Sequence, residues 1–193
     1  MSRIIVGIDE VGRGCIAGPV VAAAVVLDAK NPIVGLMDSK KLSKKKRESL
    51  TLEIKSKAKA WSIGRAEVLE IDEINILQAS LLAMKRAFLG LDLEVNFAQI
   101  DGTFYPDINV PGECIKGGDA LIAEISAASI IAKTYRDEHM GLLDTLNPGY
   151  ELFKHMGYPT PRHKELLQEM GVTEIYRQSY APVKAVLQQQ FLT

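Results

Sequence analysis

Asp9 and Glu10 stand side by side directly after the apolar run Ile4-Ile5-Val6-Gly7-Ile8, and Val11-Gly12-Arg13-Gly14 follows at once. An apolar run of this kind reads as a strand buried on both faces. Two adjacent carboxylates at the end of such a strand crowd negative charge at the rim of a core. That costs free energy unless metal ions or protons compensate. Two more acids occupy comparable places. Asp101 closes the apolar segment 95–100 and precedes Gly102, while Asp119 follows Gly117-Gly118 and opens a segment of helical pattern. Each has a local explanation, since Asp-Gly is a favoured hairpin turn and Asp a favoured helix N-cap. Together they make an all-oxygen set that suits hard cations such as Mg²⁺ or Mn²⁺. Two such ions about 3.5–4 Å apart activate water and stabilise the leaving oxygen in phosphodiester cleavage. Adjacent strand residues face opposite sides, so Asp9 and Glu10 are expected to converge through a turn between them, helped by the glycines that follow.

Other catalytic sets are missing. His139, His155 and His163 lie outside any His-Glu-x-x-His pattern, and no Gly-x-Ser-x-Gly elbow occurs. Gly12-Arg13-Gly14 leads into a strand and not a helix, which excludes a dinucleotide fingerprint. Glycines around an arginine instead let backbone N–H groups approach phosphate or sugar oxygens. Between Lys40 and Arg47, six of eight residues are basic. Such a run is either a solvated helix face or a phosphate-backbone clamp whose affinity falls with salt.

The elements that must position these groups are expected as follows. Residues 3–8 and 19–27 read as strands that pair as a hairpin, and 28–35 as a loop. Ser43 is a candidate N-cap for a helix carrying Leu50, Ile54, Ala58 and Trp61. Residues 62–66 and 95–100 read as strands, and 113–116 as a short one. Residues 72–89 form a helix with Ile74, Leu77, Leu81, Met84 and Phe88 on one stripe. A helix over 119–138 is rich in small residues that permit close packing on a sheet. The remainder is helical pieces broken at Asn147-Pro148-Gly149, Gly157-Tyr158-Pro159 and Ala181-Pro182. Strands first, then strands alternating with helices, imply an α/β architecture with a mixed sheet. The texture changes near Asn147, which suggests a small C-terminal helical subdomain.

The chain has 193 residues, 47% hydrophobic and 24% charged, with net charge −1, so nucleic-acid affinity must come from local patches. Cys15 and Cys114 have no metal-ligand spacing and are too few for a disulfide framework. Reduced thiols in a cytoplasmic protein are expected. No secretory signal is visible, and the longest apolar run, 19–27, is too short to span a membrane.

The segments Gly7-Ile8-Asp9-Glu10-Val11-Gly12-Arg13-Gly14, Asp38-Ser39-Lys40-Lys41-Leu42-Ser43, Ile100-Asp101-Gly102 and Ser126-Ala127-Ala128-Ser129-Ile130-Ile131-Ala132-Lys133 together resemble bacterial ribonuclease HII. Arg136-Asp137 and Gly157-Tyr158-Pro159-Thr160 with His163 extend the likeness across nearly the whole chain. The resemblance implies an RNase H-like fold, a mixed five-stranded sheet flanked by helices. Residues 1–146 would be the catalytic core and 147–193 a helical extension. It implies hydrolysis of RNA in RNA–DNA hybrids and incision 5′ of ribonucleotides embedded in duplex DNA, leaving 3′-hydroxyl and 5′-phosphate ends, a role in ribonucleotide removal. By matching position, Asp9, Glu10, Asp101 and Asp119 would be the catalytic acids holding two Mn²⁺ or Mg²⁺ ions. Gly12, Arg13 and Gly14 would read the ribonucleotide 2′-hydroxyl, Tyr158 would pack on the sugar at the junction, and Lys40, Lys41 and Lys46 would hold phosphates.

Three positions depart from the family pattern. Cys15 stands where proline is common, Lys116-Gly117-Gly118 carries an extra glycine, and Met156 stands where lysine is frequent. The tail Gln188-Gln189-Gln190-Phe191-Leu192 is similar to sliding-clamp-binding peptides, although a frayed terminal helix with two apolar anchors is the simpler reading. A monomer is expected. Two rival classes remain: an actin-like ATPase, which needs a second phosphate hairpin, and a non-catalytic hybrid-binding protein.

Overall fold

The fold is set by one strand that has no solvent-facing side. In β2 (Val20–Val26) every residue is buried. Val20, Ala22, Ala24 and Val26 enter one hydrophobic cluster, while Val21, Ala23 and Val25 enter another on the opposite face. The computed structural model describes residues 3–190. β1 (Ile5–Val11) pairs antiparallel with β2, and β3 (Ala60–Ala66) extends that antiparallel edge. β4 (Phe97–Asp101) and β5 (Gly112–Ile115) add in parallel on the other side, giving the order β3-β2-β1-β4-β5. This is the mixed five-stranded sheet expected.

Helices cover both faces. α1 (Lys44–Lys57) starts at Ser43, whose side chain accepts from Lys46 N–H, as the capping preference predicts. The helix ends before Trp61, however. Trp61 lies in β3, paired with Val25, because β-branched and aromatic residues after Ala60 suit the sheet edge. α2 (Val68–Leu89) covers the face holding Val6, Ile8 and Ile100. α3 (Ala123–Leu146) covers the other, supplying Ala127, Ala128, Ile130, Ile131 and Ala132. Gly7 permits this: a Cβ there would overlap the Glu124 backbone, so α3 begins directly against β1.

α4 (Leu152–His155), α5 (Pro161–Met170) and α6 (Ala181–Gln190) form a third cluster with Ile16, Ala17 and Met140. Residues after 146 thus pack on the β1–β2 connection. Of the tail, Gln188, Gln189 and Gln190 lie in α6, and Phe191 and Leu192 fall outside the described residues. No helix among the described residues is long and apolar enough to cross a membrane.

Candidate active site

β1 and β4 run parallel with Ile8 opposite Ile100. The next residues, Asp9 and Asp101, therefore stand at the same level on neighbouring strands and on the same face, that of α3. The chain does not turn between Asp9 and Glu10. β1 continues through Val11, with Asp9 opposite Ala23 and Glu10 opposite Ala22. The two acids point to opposite faces, as strand geometry demands, and still line one cavity because that cavity wraps the strand end. The hairpin reading of Asp101-Gly102 also fails, since β4 and β5 are parallel and need a crossover. Asp119 is not the cap of α3. It sits within a single 3-10 turn, Gly118–Ala120, and the cap position of α3 is Ile122. Gly117, at φ 69°, turns the chain into that position.

The cavity, of about 360 Å³, is lined by Asp9, Glu10, Asp101, Asp119, Lys40 and Tyr158. All four predicted acids are thus brought together. Ser39, Arg47, Ser129 and Lys133 line it as well. Sequence reasoning named none of these four as a site residue, although Arg47 closes the basic run read there as a solvated face or a phosphate clamp. Ser129 and Lys133 carried a signal, four residues apart on one helix face that meets β1. Lys41 and Lys46 are exposed and do not line it.

Burial, then the neighbouring Glu10 and Asp101 charges, push the Asp9 carboxyl well above the ordinary carboxylate range, against bonds from Ser129 and the Glu10 N–H. The latter is 2.7 Å from Asp9 Oδ1. Glu10 is raised chiefly by burial, opposed by Arg13, whose Nη1 lies 3.6 Å from Oε1. Asp119 is raised by burial and by Asp101. Asp101 Oδ1 is buried without a hydrogen-bond partner. An orphaned carboxylate oxygen among three other acids fits a hard cation, which would satisfy the lone pairs and lift the charge penalty. Among the described residues, no three such groups close into a ready-made cage.

A second layer holds the walls. Arg47, on α1, donates through Nη1 to Leu42 O at 2.8 Å and reaches Asp137 through Nη2 at 3.1 Å, with Lys133 Nζ 2.6 Å from the same carboxylate, which ties the segment after Lys40 to α3. Ser39 and Ser129 hydroxyls lie 2.9 Å apart across the same seam. Arg136, fully buried, donates to the carbonyls of Pro19, Met156 and Ala17. Arg177, also buried, donates to those of Gly18 and Arg13. Gly12, Arg13 and Gly14 are therefore fixed from below and do not themselves line the cavity. Gly14 adjoins it, since a Cβ there would meet only Tyr158 Cε1, at 3.8 Å. Cys15 is buried, donates to Met156 O at 3.4 Å and lies off the cavity, with its thiol pushed up by burial.

A family model for Ribonuclease HII matches residues 6–183. The crystal structure of the ribonuclease H2 from Pyrococcus horikoshii OT3 is 25% identical, covers 98% of this chain and 99% of its own, and superposes with a TM-score of 0.84. The RNase HII in a PCNA:RNase HII complex from Archaeoglobus fulgidus is 25% identical over 95% of this chain and 96% of its own, with a TM-score of 0.78. Bst-RNase HIII in complex with Mn²⁺ shares the fold at 19% identity and a TM-score of 0.70, covering 100% of this chain and 71% of its own. With the match spanning both the acid cavity and the loops that frame it, the chain belongs to the ribonuclease HII family of metal-dependent ribonucleases H.

Proposed function

We propose that this protein is an endonuclease that hydrolyses RNA in RNA–DNA hybrids and incises 5′ of ribonucleotides embedded in duplex DNA, leaving 3′-hydroxyl and 5′-phosphate ends. The observation that carries the reading is the meeting of Asp9, Glu10, Asp101 and Asp119 in one cavity, with Asp101 Oδ1 unpartnered. These four side chains would hold two divalent ions, Mn²⁺ or Mg²⁺. When bound, such ions activate water and stabilise the departing oxygen of a phosphodiester. Asp9, central between Glu10 and Asp101, is the acid suited to contact both.

The chain's own residues do the rest. Lys40 and Lys133 offer positive charge on the cavity wall where phosphates would lie, and Lys41 and Lys46 extend that charge along the exposed segment. The Gly12-Arg13-Gly14 turn, locked by Arg177, presents backbone to the sugar, where the 2′-hydroxyl distinguishes RNA from DNA. That hydroxyl serves recognition and is not the nucleophile, because the oxygen released stays on the upstream nucleotide. Tyr158, 40% exposed beside Gly14, would pack on the same sugar. Residues 147–193 act as an extension of the 1–146 core that carries Tyr158 to it. The PCNA complex of the Archaeoglobus relative supports a sliding-clamp contact, for which the tail Gln188–Leu192 is the segment we propose. The protein's role would be the removal of ribonucleotides from DNA, in the cytoplasm.

Asp9→Asn and Asp101→Asn test the assignment. Cleavage should fall about 10³-fold, several kcal/mol of transition-state stabilisation, while hybrid binding survives. Turnover at the normal rate in either variant contradicts it.

A further inference from the structure

Tyr158 projects from a loop with unusual backbone. Met156 and Gly157 are consecutive residues at positive φ, 50° and 82°. Met156 carries a Cβ, so its left-handed conformation is strained and persists only where the surroundings enforce it. They do. Met156 N–H donates to Leu152 O at 2.7 Å, and its carbonyl accepts from Arg136 Nη1 at 2.8 Å. Gly157 O accepts from Ile16 N–H, and Tyr158 N–H donates to His155 O, both at 2.9 Å. Gly157 N–H and Tyr158 C=O each reach an imidazole, and the Tyr158 carbonyl also accepts from Thr160 N–H at 2.8 Å. Gly157 N–H lies 3.3 Å from His155 Nδ1, and Tyr158 O lies 2.8 Å from His163 Nδ1.

The partners fix where the protons are. Gly157 N–H can only donate, so His155 Nδ1 accepts. Tyr150 O, 2.9 Å from His155 Nε2, can only accept, so that nitrogen carries the proton. On His163 the order is reversed: Nδ1 donates to Tyr158 O, and Nε2, 3.0 Å from the Tyr176 hydroxyl, accepts from it. The two rings stack with centroids 3.8 Å apart. A charge on either would sit against its neighbour in a buried site, and burial lowers both, His163 to about 4. Neither ring lines the acid cavity.

We propose that His155 and His163 are positioning residues for Tyr158: two stacked imidazoles in opposite tautomers clamp the Gly157 and Tyr158 peptide groups and so aim the phenol at the sugar beside Gly14. The selection of a ribonucleotide within DNA then depends on a pair of rings that never touch substrate. This inference rests on the sugar-packing role of Tyr158 given above.

Two measurements test it. Long-range ¹H–¹⁵N spectra of the free protein at neutral pH should show His163 protonated at Nδ1 and His155 at Nε2. Matching tautomers, or a charged ring, would overturn the clamp whatever Tyr158 does. The second compares cleavage of a DNA duplex holding one ribonucleotide with cleavage of a long RNA–DNA hybrid. Asparagine places an amide near the position of Nδ1, and glutamine near that of Nε2. His163→Gln should therefore lower the single-ribonucleotide rate relative to the hybrid rate about tenfold, the effect of one well-formed hydrogen bond, and His163→Asn should restore most of it. A parallel loss on both substrates would mean a merely structural histidine. Tyr158→Ala separates the two claims. If it shifts the ratio and His163→Gln does not, the clamp alone is wrong. If Tyr158→Ala leaves the ratio unchanged, the sugar-packing role falls, and the specificity claim with it.

Discussion

The Arg136 guanidinium fills the space that a Cβ on Gly12 would occupy. Gly12 is therefore glycine for the sake of the fold, at φ 96° over a buried arginine, and Gly14 is not. The two glycines of one turn should respond differently to the same change. Gly12→Ala should destabilise the protein by about 2–4 kcal/mol, through backbone strain and displacement of Arg136. Gly14→Ala should melt within a few degrees of the parent yet cleave poorly, because its methyl group enters the space beside Tyr158. Thermal melts and hybrid-cleavage rates on both variants check this.

Asp9 is held at the cost of burying charge. Its folded pKa is raised, so between its unfolded and folded values the native state binds more protons than the unfolded chain. Stability from this group is lost as pH rises through the folded value. Above that folded value, Asp9→Asn should accordingly stabilise the metal-free protein, by about 1 kcal/mol or roughly 2–4 °C. Mn²⁺ should raise the melting temperature of the parent and do less for the variant. Calorimetry with and without the ion measures both.

The histidines give the opposite slope. His163 is lowered to about 4 by burial, so below its ordinary value near 6.5 the unfolded chain takes up a proton that the folded one refuses. Stability should fall as pH drops from about 6.5 toward 4. His163→Asn should flatten that limb of a melting-temperature profile.

The basic segment predicts a salt effect. Each lysine that neutralises a phosphate contributes about 0.9 to the slope of log affinity against log salt on B-form DNA. Lys40→Ala, Lys41→Ala and Lys46→Ala should each reduce the slope for hybrid binding by close to that amount. Titrations of a fluorescent hybrid at several salt concentrations decide it.

Much of this arrangement is legible in the residues. The unbroken apolar run of β2, the Ser43 cap and the small-residue face of α3 follow from local rules, and the four acids are found by their places at element ends. What is not legible is set by tertiary contact. Asp9 and Asp101 meet through the parallel register of β1 and β4, which are separated by 85 residues of chain. Trp61 shifts from helix to strand because the β2 edge needs a partner. Asp119 looks like a helix cap, but a 3-10 turn over Gly118–Ala120 holds it before α3 begins. Arg136 and Arg177 look like surface charges, and only their carbonyl partners explain their burial.

The central claim is tested most directly by mapping a nick. A DNA duplex carrying one ribonucleotide, incubated with the protein and Mg²⁺ or Mn²⁺, should be cut once, immediately 5′ of that residue, with a 3′-hydroxyl on the DNA side. Chelation, or Asp101→Asn, should abolish the cut. Cleavage elsewhere, or undiminished cleavage without divalent ion, would contradict the account.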